Sequence, residues 1–303
     1  MNRLLNFPLL LLVFSFSSCI EFEREKLTYV HDEEKDELRV TLRYEGIFGN
    51  FAKGKNSQNG PDDVTTKDSL NQKQIEQLES VLEQERAFFF SNWIFEYDKR
   101  GLSEMLKHEP NKLSSEESPF GLPEKDLIEA LIKNVEVRNL GFYLDEKSRL
   151  CGAQTLRLSN ASQVIAKANA VLGRQLHARI PEMTKYSKRT LSLIERKLKR
   201  KFPFIRLEGN LVTVALILDQ EDQRKFAKDT LKKMPDGVRI EYQKQALLLK
   251  CGGAKEEQSK IGMKCFEGYA PNAQKYLEEN HKDLLLGSEQ ITEKMQNFIA
   301  GLN

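Results

Sequence analysis

The chain has 303 residues, 40% of them hydrophobic and 9% aromatic. That is enough to bury one large core or two small ones, and it excludes collagen-like, mucin-like and fully disordered classes. The 47 basic residues nearly cancel the 45 acidic ones, leaving a formal net charge of +2, so no global field steers the chain to nucleic acid.

Arg3 supplies a short positive start, and 4–16 is an apolar run of 13 residues followed by Ser17 and Ser18. The run is too short to span a bilayer and has the length of a signal-peptide core. Cys19 follows, and a polar, Glu-rich segment after it stops the apolar run. Small residues directly before a Cys, after such a run, resemble the lipobox of bacterial lipoproteins. The resemblance covers 1–20 and implies cleavage before Cys19, a diacylglyceryl group on its thiol and acylation of the new amine. The mature protein is then expected on the cell envelope, held to the membrane by lipid. Ile20, where an Asp favours inner-membrane retention, leans towards the outer membrane.

Residues 27–31 and 38–48 read as strands joined by an acidic turn at 32–36, because Val40, Leu42 and Tyr44 alternate with polar residues. Residues 49–63 read as a loop. Its G-x-x-x-x-G-K match lacks the following Ser or Thr and the helix that a phosphate loop needs. A helix is expected over 69–90 with Ile75, Leu78, Leu82 and Phe89 on one face, then a strand through Trp93, Phe95 and Tyr97. Residues 99–123, rich in Ser and Pro, read as an internal boundary. The expected division is therefore a signal at 1–18, an anchored segment at 19–120 and a domain at 121–303.

Beyond it the pattern predicts a helix over 123–134, a hairpin of 135–144 with 150–158, and a helix from an Asn160 cap to the break at Pro181. A second helix is expected over 184–201. A hairpin of 204–207 with 211–218, a helix from an Asp219 cap to 233, strands at 238–242 and 246–251, and helices near 273–279 and 288–301 complete the chain. On the last helix Ile291, Met295, Phe298 and Leu302 share a face. Hairpins interleaved with helices imply an α+β fold with mainly antiparallel sheet.

The strongest local signal is on the 184–201 helix. Lys185, Lys188, Arg189, Arg196, Lys199 and Arg200 fall within about 120° of its circumference, with Ile194, Leu198 and Leu191 opposite. Residues 174–206 hold 11 Lys or Arg against Glu182 and Glu195, whereas 21–45 hold 9 acidic residues against 5 basic. Charge is segregated although its total is near zero. The stripe reads either as a solvated helix face or as a docking surface for an anionic lipid, an acidic cell-wall polymer or an acidic protein. Nucleic acid is a poor candidate in an exported protein.

Cys251 and Cys265 bracket a polar loop that suits a local disulfide in an oxidising compartment, the alternative being three free thiols with Cys151. No C-x-x-C, H-E-x-x-H, G-x-S-x-G or G-x-G-x-x-G occurs, so no metal, cofactor or catalytic residue is assigned. The leading expectation is a non-enzymatic, lipid-anchored envelope protein that binds or scaffolds. The rival is an extracytoplasmic hydrolase, marked by a pocket holding a His, a carboxylate and a hydroxyl or thiol.

Overall fold

Alternation in the first hairpin builds the centre of the molecule. The computed structural model describes residues 20–49, 86–89, 95–108, 121–230, 234–265 and 272–302. Strands β1 (Ile20–Asp32) and β2 (Glu37–Gly49) pair antiparallel around the acidic turn. Tyr29, Val40 and Leu42 enter the core, whereas Arg39, Thr41 and Arg43 take the other face of β2.

This hairpin is not a separate unit. β2 also pairs with β6 (Leu150–Ser159), which pairs with β5 (Val135–Leu144), while β1 pairs with β11 (Ser259–Lys264). The result is a five-stranded antiparallel sheet in the order β11-β1-β2-β6-β5. It runs across the expected division at residue 120. β11 is absent from the sequence reading because Ser259–Lys264 has too few apolar residues to show alternation.

One face of the sheet is covered by α1 (Lys99–His108) and α2 (Leu122–Asn134) with β3 (Arg86–Phe89) and β4 (Phe95–Asp98). Leu102, Met105, Ile128 and Tyr97 join Leu42 in one core cluster. Each such side chain contributes about 1.5–3 kcal/mol of burial. The other face is partly covered by α7 (Ser288–Ala300), whose Ile291 and Met295 meet Tyr143, Cys151 and Ala153. α6 (Asn272–Asn280) adds Leu277 to the main core.

A second, four-stranded antiparallel sheet has the order β7-β8-β10-β9, from β7 (Ile205–Glu208), β8 (Leu211–Leu216), β9 (Val238–Gln243) and β10 (Ala246–Cys251). α3 (Ala161–Arg179) and α4 (Lys188–Lys199) pack on one face through Leu172, Leu193 and Ile194. Phe226 of α5 (Gln220–Thr230) packs on the other, against Leu218 and Leu247. Burial on both faces explains why Ala246–Leu249 is continuously apolar.

The α+β fold, with 11 strands and seven α-helices among the described residues, is the expected one. Several local expectations need correction. Residues 86–89 are strand, not helix, because their backbone is taken by β4. Residues 99–108 are helix, not a boundary, since Leu102 and Met105 have a core to enter. Asn160 does not cap α3. It adopts φ 50°, and its amide donates to Asn134 Oδ1 at 2.8 Å. The cap comes from the β1–β2 turn: Asp36 accepts from Ser162 N at 2.9 Å and from its hydroxyl at 2.6 Å. Leu302 lies beyond α7 and is 74% exposed. The expected loop at 50–63, the helix at 69–85 and Trp93 fall outside the described residues.

The two sheets meet at the turn end of β1. Tyr29 Oη shares its one proton between the carbonyls of Asn210 (3.1 Å) and Cys251 (2.8 Å), and burial pushes its pKa up to about 12, so it stays a donor. Asn210 Oδ1 accepts from His31 N, and its Nδ2 donates to Glu256 O at 2.7 Å. Gly252, at φ 72°, leaves no room for a Cβ, which would stand 1.9 Å from Ser259 Oγ. Asn210→Ala strands the partly buried backbone groups of His31 and Glu256 at about 1–3 kcal/mol each. We expect it to lower stability by about 2–4 kcal/mol. Denaturant unfolding followed separately in each lobe checks this, and coincident transitions at wild-type stability would refute it.

Candidate functional site

The position of α4 is decided at its N-terminus. Ser187 accepts from Thr190 N at 3.0 Å and donates its hydroxyl proton to Asp219 Oδ2 at 2.6 Å. Ser187 N donates to Asp222 Oδ2 at 3.0 Å, and Asp219 N donates to Thr190 Oγ1 at 2.9 Å. Asp219 Oδ1 accepts from the N–H groups of Glu221 and Asp222, so it caps α5 as the sequence implies. Two carboxylates thus satisfy the starts of two helices and sit where both dipoles favour negative charge.

From that knot Thr190, Leu193 and Ile194 turn inward and are buried. The helix starts at Lys188 rather than at 184, so its buried side is centred on these three residues, and Leu191 is only half-buried. Lys188, Arg189, Arg196 and Lys199 are exposed on the outer side, with Glu195 among them. Arg200 is the C-cap and Lys185 lies in the preceding turn, both exposed. The six residues therefore reach one surface from a shorter helix and its two flanks.

None of the six has a carboxylate within 4.0 Å among the described residues. Several cations of the first lobe are treated differently. Arg149 is held by both Glu23 and Asp145, and Lys26 meets Glu45 at 2.5 Å. Lys197, inside the stripe in sequence, instead lies 4.5 Å over the ring of Phe202.

A groove of about 820 Å³ runs beside this face, between α3 and α4. Gly173, Leu198, Phe202 and Phe204 give it an apolar lining, while Arg174, His177 and Lys201 join Lys199 there, with Glu195 as the acidic member. Of the six cations, Lys199 alone lines it. The sequence reading missed the groove, His177 and Lys201. The available signal is the small-residue row Ala166, Ala170 and Gly173 on α3, which lets the two helices part without filling the gap.

The hydrolase criterion brings His31, Asp36 and Ser162 to attention. His31 and Ser162 line a pocket of about 300 Å³, and His31 Nε2 lies 3.8 Å from Asp36. The order is wrong for nucleophilic activation, since the Ser162 hydroxyl donates to Asp36 and not to the imidazole. Asp36 is spent on capping α3. Among the described residues no disulfide joins Cys151, Cys251 and Cys265. The expected Cys251–Cys265 bridge is sterically out of reach: Gly252 packs on Ser259, whereas Cys265 follows β11 six residues further on, about 20 Å away. Burial pushes the Cys151 thiol up and that of Cys251 up to about 11, which keeps both protonated and poorly nucleophilic at neutral pH. Among the described residues no group of three or more His, Cys, Asp or Glu stands where it would hold a metal ion. Cys19 lies outside the described residues.

Comparisons with protein-family models, curated proteins and solved structures find no match.

The Asp219 knot has a pH signature. The Asp222 N–H and then the Ser187 hydroxyl hold the Asp219 carboxyl below its ordinary value of 3.8. A depressed carboxyl stabilises the fold fully above its unfolded pKa, and that stability is lost as pH falls through the folded value. Unfolding measured below about pH 4 should therefore show an acid-labile component that Asp219→Asn removes. An unchanged acid limb in the variant would refute the assignment.

Proposed function

We propose that this chain is a lipid-anchored, non-catalytic protein of the bacterial cell envelope that docks an anionic partner on the outer face of α4. One observation carries the reading: Lys185, Lys188, Arg189, Arg196, Lys199 and Arg200 are all exposed, and none has a carboxylate within 4.0 Å among the described residues, although acidic residues are plentiful elsewhere on the chain. Each exposed ion pair with a partner is worth about 0.2–1 kcal/mol. A stripe of six sums to a salt-sensitive attraction of a few kcal/mol, while one member contributes little.

The place of the anchor narrows the partner. Cys19 stands one residue before β1, and the second lobe joins the first at the other end of that strand. Twelve residue steps along β1 are roughly 40 Å. A lipid on Cys19 thus tethers the end of the sheet remote from the lobe that carries the basic helix. We read the partner as an acidic cell-wall polymer or acidic protein, with the anchoring bilayer a weaker candidate. Among the described residues no helix is long and apolar enough to cross a membrane, and the lipid serves for attachment. Ile20 after the Cys supports the outer membrane as the site.

The anchor is tested by mass. The N-terminal peptide of the wild-type protein should carry acyl groups on Cys19, and Cys19→Ser should move the protein out of the detergent phase or leave it unprocessed. A wild-type peptide without acyl mass would sink the lipoprotein reading.

The docking face is tested with the mature chain made without lipid. Reversing Lys188, Arg196 and Lys199 to Glu should abolish salt-dependent retention on acidic wall polymer and on acidic protein. The melting temperature should stay near wild type, because the buried Thr190, Leu193 and Ile194 are untouched. Equal retention of both proteins on every anionic surface would return the stripe to an ordinary solvated helix face.

A further inference from the structure

α7 crosses the second face of the five-stranded sheet above β2, β5 and β6, leaving the part over β1 and β11 uncovered. The step between helix and open sheet forms a cleft of about 670 Å³, within the size range of small-molecule sites. Pairing register decides what lines it. Arg39 lies opposite Val30, Thr41 opposite Thr28, and Thr28 opposite Lys260. Cations and hydroxyls therefore share the floor with an apolar strip of Val30 and, from the helix, Ile299.

Arg39 is the unusual member. It is 7% exposed, its Nε has no hydrogen-bond partner, and its guanidinium lines the cleft. Asp32 and Glu37 stand 3.7 and 3.8 Å away, near enough to balance its charge and too far to accept its protons. A guanidinium has five donors in a fixed fork, and a buried one left without acceptors is costly. The neighbours add further cations, which outnumber the one carboxylate of the lining, Glu257. Arg43 donates to the Thr292 hydroxyl at 3.1 Å and to the thioether of Met295 at 3.4 Å, a weak acceptor, and has no carboxylate within 4.0 Å among the described residues. Lys260 on β11 is exposed and likewise has none.

We propose that this cleft binds a small amphiphile, an oxyanion head of phosphate or carboxylate on an apolar stem. The head meets the guanidinium of Arg39, whose Nε lacks a partner, in the two-pronged geometry that guanidinium offers to oxyanions. Arg43 and Lys260 act through their charge, since Arg43 is four residues, about 13 Å, along the strand from Arg39. The stem lies along Val30 and Ile299. This site is separate from the basic face of α4 and does not depend on it.

The test is calorimetric titration of the mature chain with octyl phosphate and with octanoate, each kept below its micellar range. Inorganic phosphate is the headgroup control and octyl glucoside the neutral one. At least one octyl anion should bind saturably at one site, at least tenfold more tightly than inorganic phosphate or octyl glucoside. The tighter of the two identifies the head as phosphate or carboxylate. Arg39→Lys, which keeps the charge and loses the fork, should weaken binding at least tenfold. Lys260→Glu, on the exposed rim, should weaken it several-fold and stronger at low salt; it decides the matter if the Arg39 variant does not fold. The Nε–H resonance of Arg39 should shift on titration. Reversal of Lys188, Arg196 and Lys199 should leave this binding unchanged, which separates it from the α4 reading. Absence of saturable binding by either octyl anion, equal binding of octyl glucoside, or binding indifferent to both Arg39→Lys and Lys260→Glu would overturn the proposal.

Discussion

The architecture depends on the polar junction at the turn end of the first hairpin. Two sheets with cores of their own meet there; Val212 and Val238 of the second pack against the core of the first, α2 packs on α3 through Leu127 and Val164, and hydrogen bonds fix the register of the contact. Asn210 satisfies the backbone of His31 on one lobe and of Glu256 in the β10–β11 connection. Tyr29 and Ser259 converge on the carbonyl of Asn210. Asp36, in the same turn, starts α3. One acidic turn therefore sets the direction in which the second lobe leaves the first. Buried polar groups of this kind are costly when left unmade, so the arrangement is specific even though each bond adds little net stability.

Charge is organised on the same plan. The first lobe is laced with compensating pairs such as Arg149 with Glu23 and Asp145. In the second lobe Asp219 and Asp222, beside the start of α4, are consumed at helix starts. The cations of α4 are left facing solvent. The contrast concerns placement rather than number, because the chain is almost neutral overall. The cleft beside α7 is a third arrangement, in which a guanidinium is buried with its charge balanced and its Nε without a partner.

Local pattern and tertiary demand disagree in a few informative places. Arg86–Phe89 continues a helical periodicity, yet β4 offers it a ladder and it becomes strand. Asn160 is a favourable cap residue by type, but Asp36 reaches the N–H of Ser162 from 126 residues away, and Asn160 stands in a left-handed conformation. Side-chain caps compete on geometry as much as on chemistry, and a residue fixed by a turn holds an advantage over one free to rotate.

The sequence by itself determined the elements with strong periodicity or clear punctuation. Two-residue alternation marked β2, the acidic turn bounded the first hairpin, Pro181 ended α3, and the spacing of Ile291, Met295 and Phe298 placed the buried side of α7. It also located the basic stripe, because cations at helical spacing show in one dimension. Only the tertiary structure decided which strands are neighbours, since a strand's apolar pattern names a face and no partner. That pairing put the first hairpin into the middle of the second half's sheet and kept Cys251 away from Cys265. It also set Arg39 opposite Val30 at the edge of a cleft. Residues far apart in sequence meet there through register, and register is a property of two strands that neither strand carries alone.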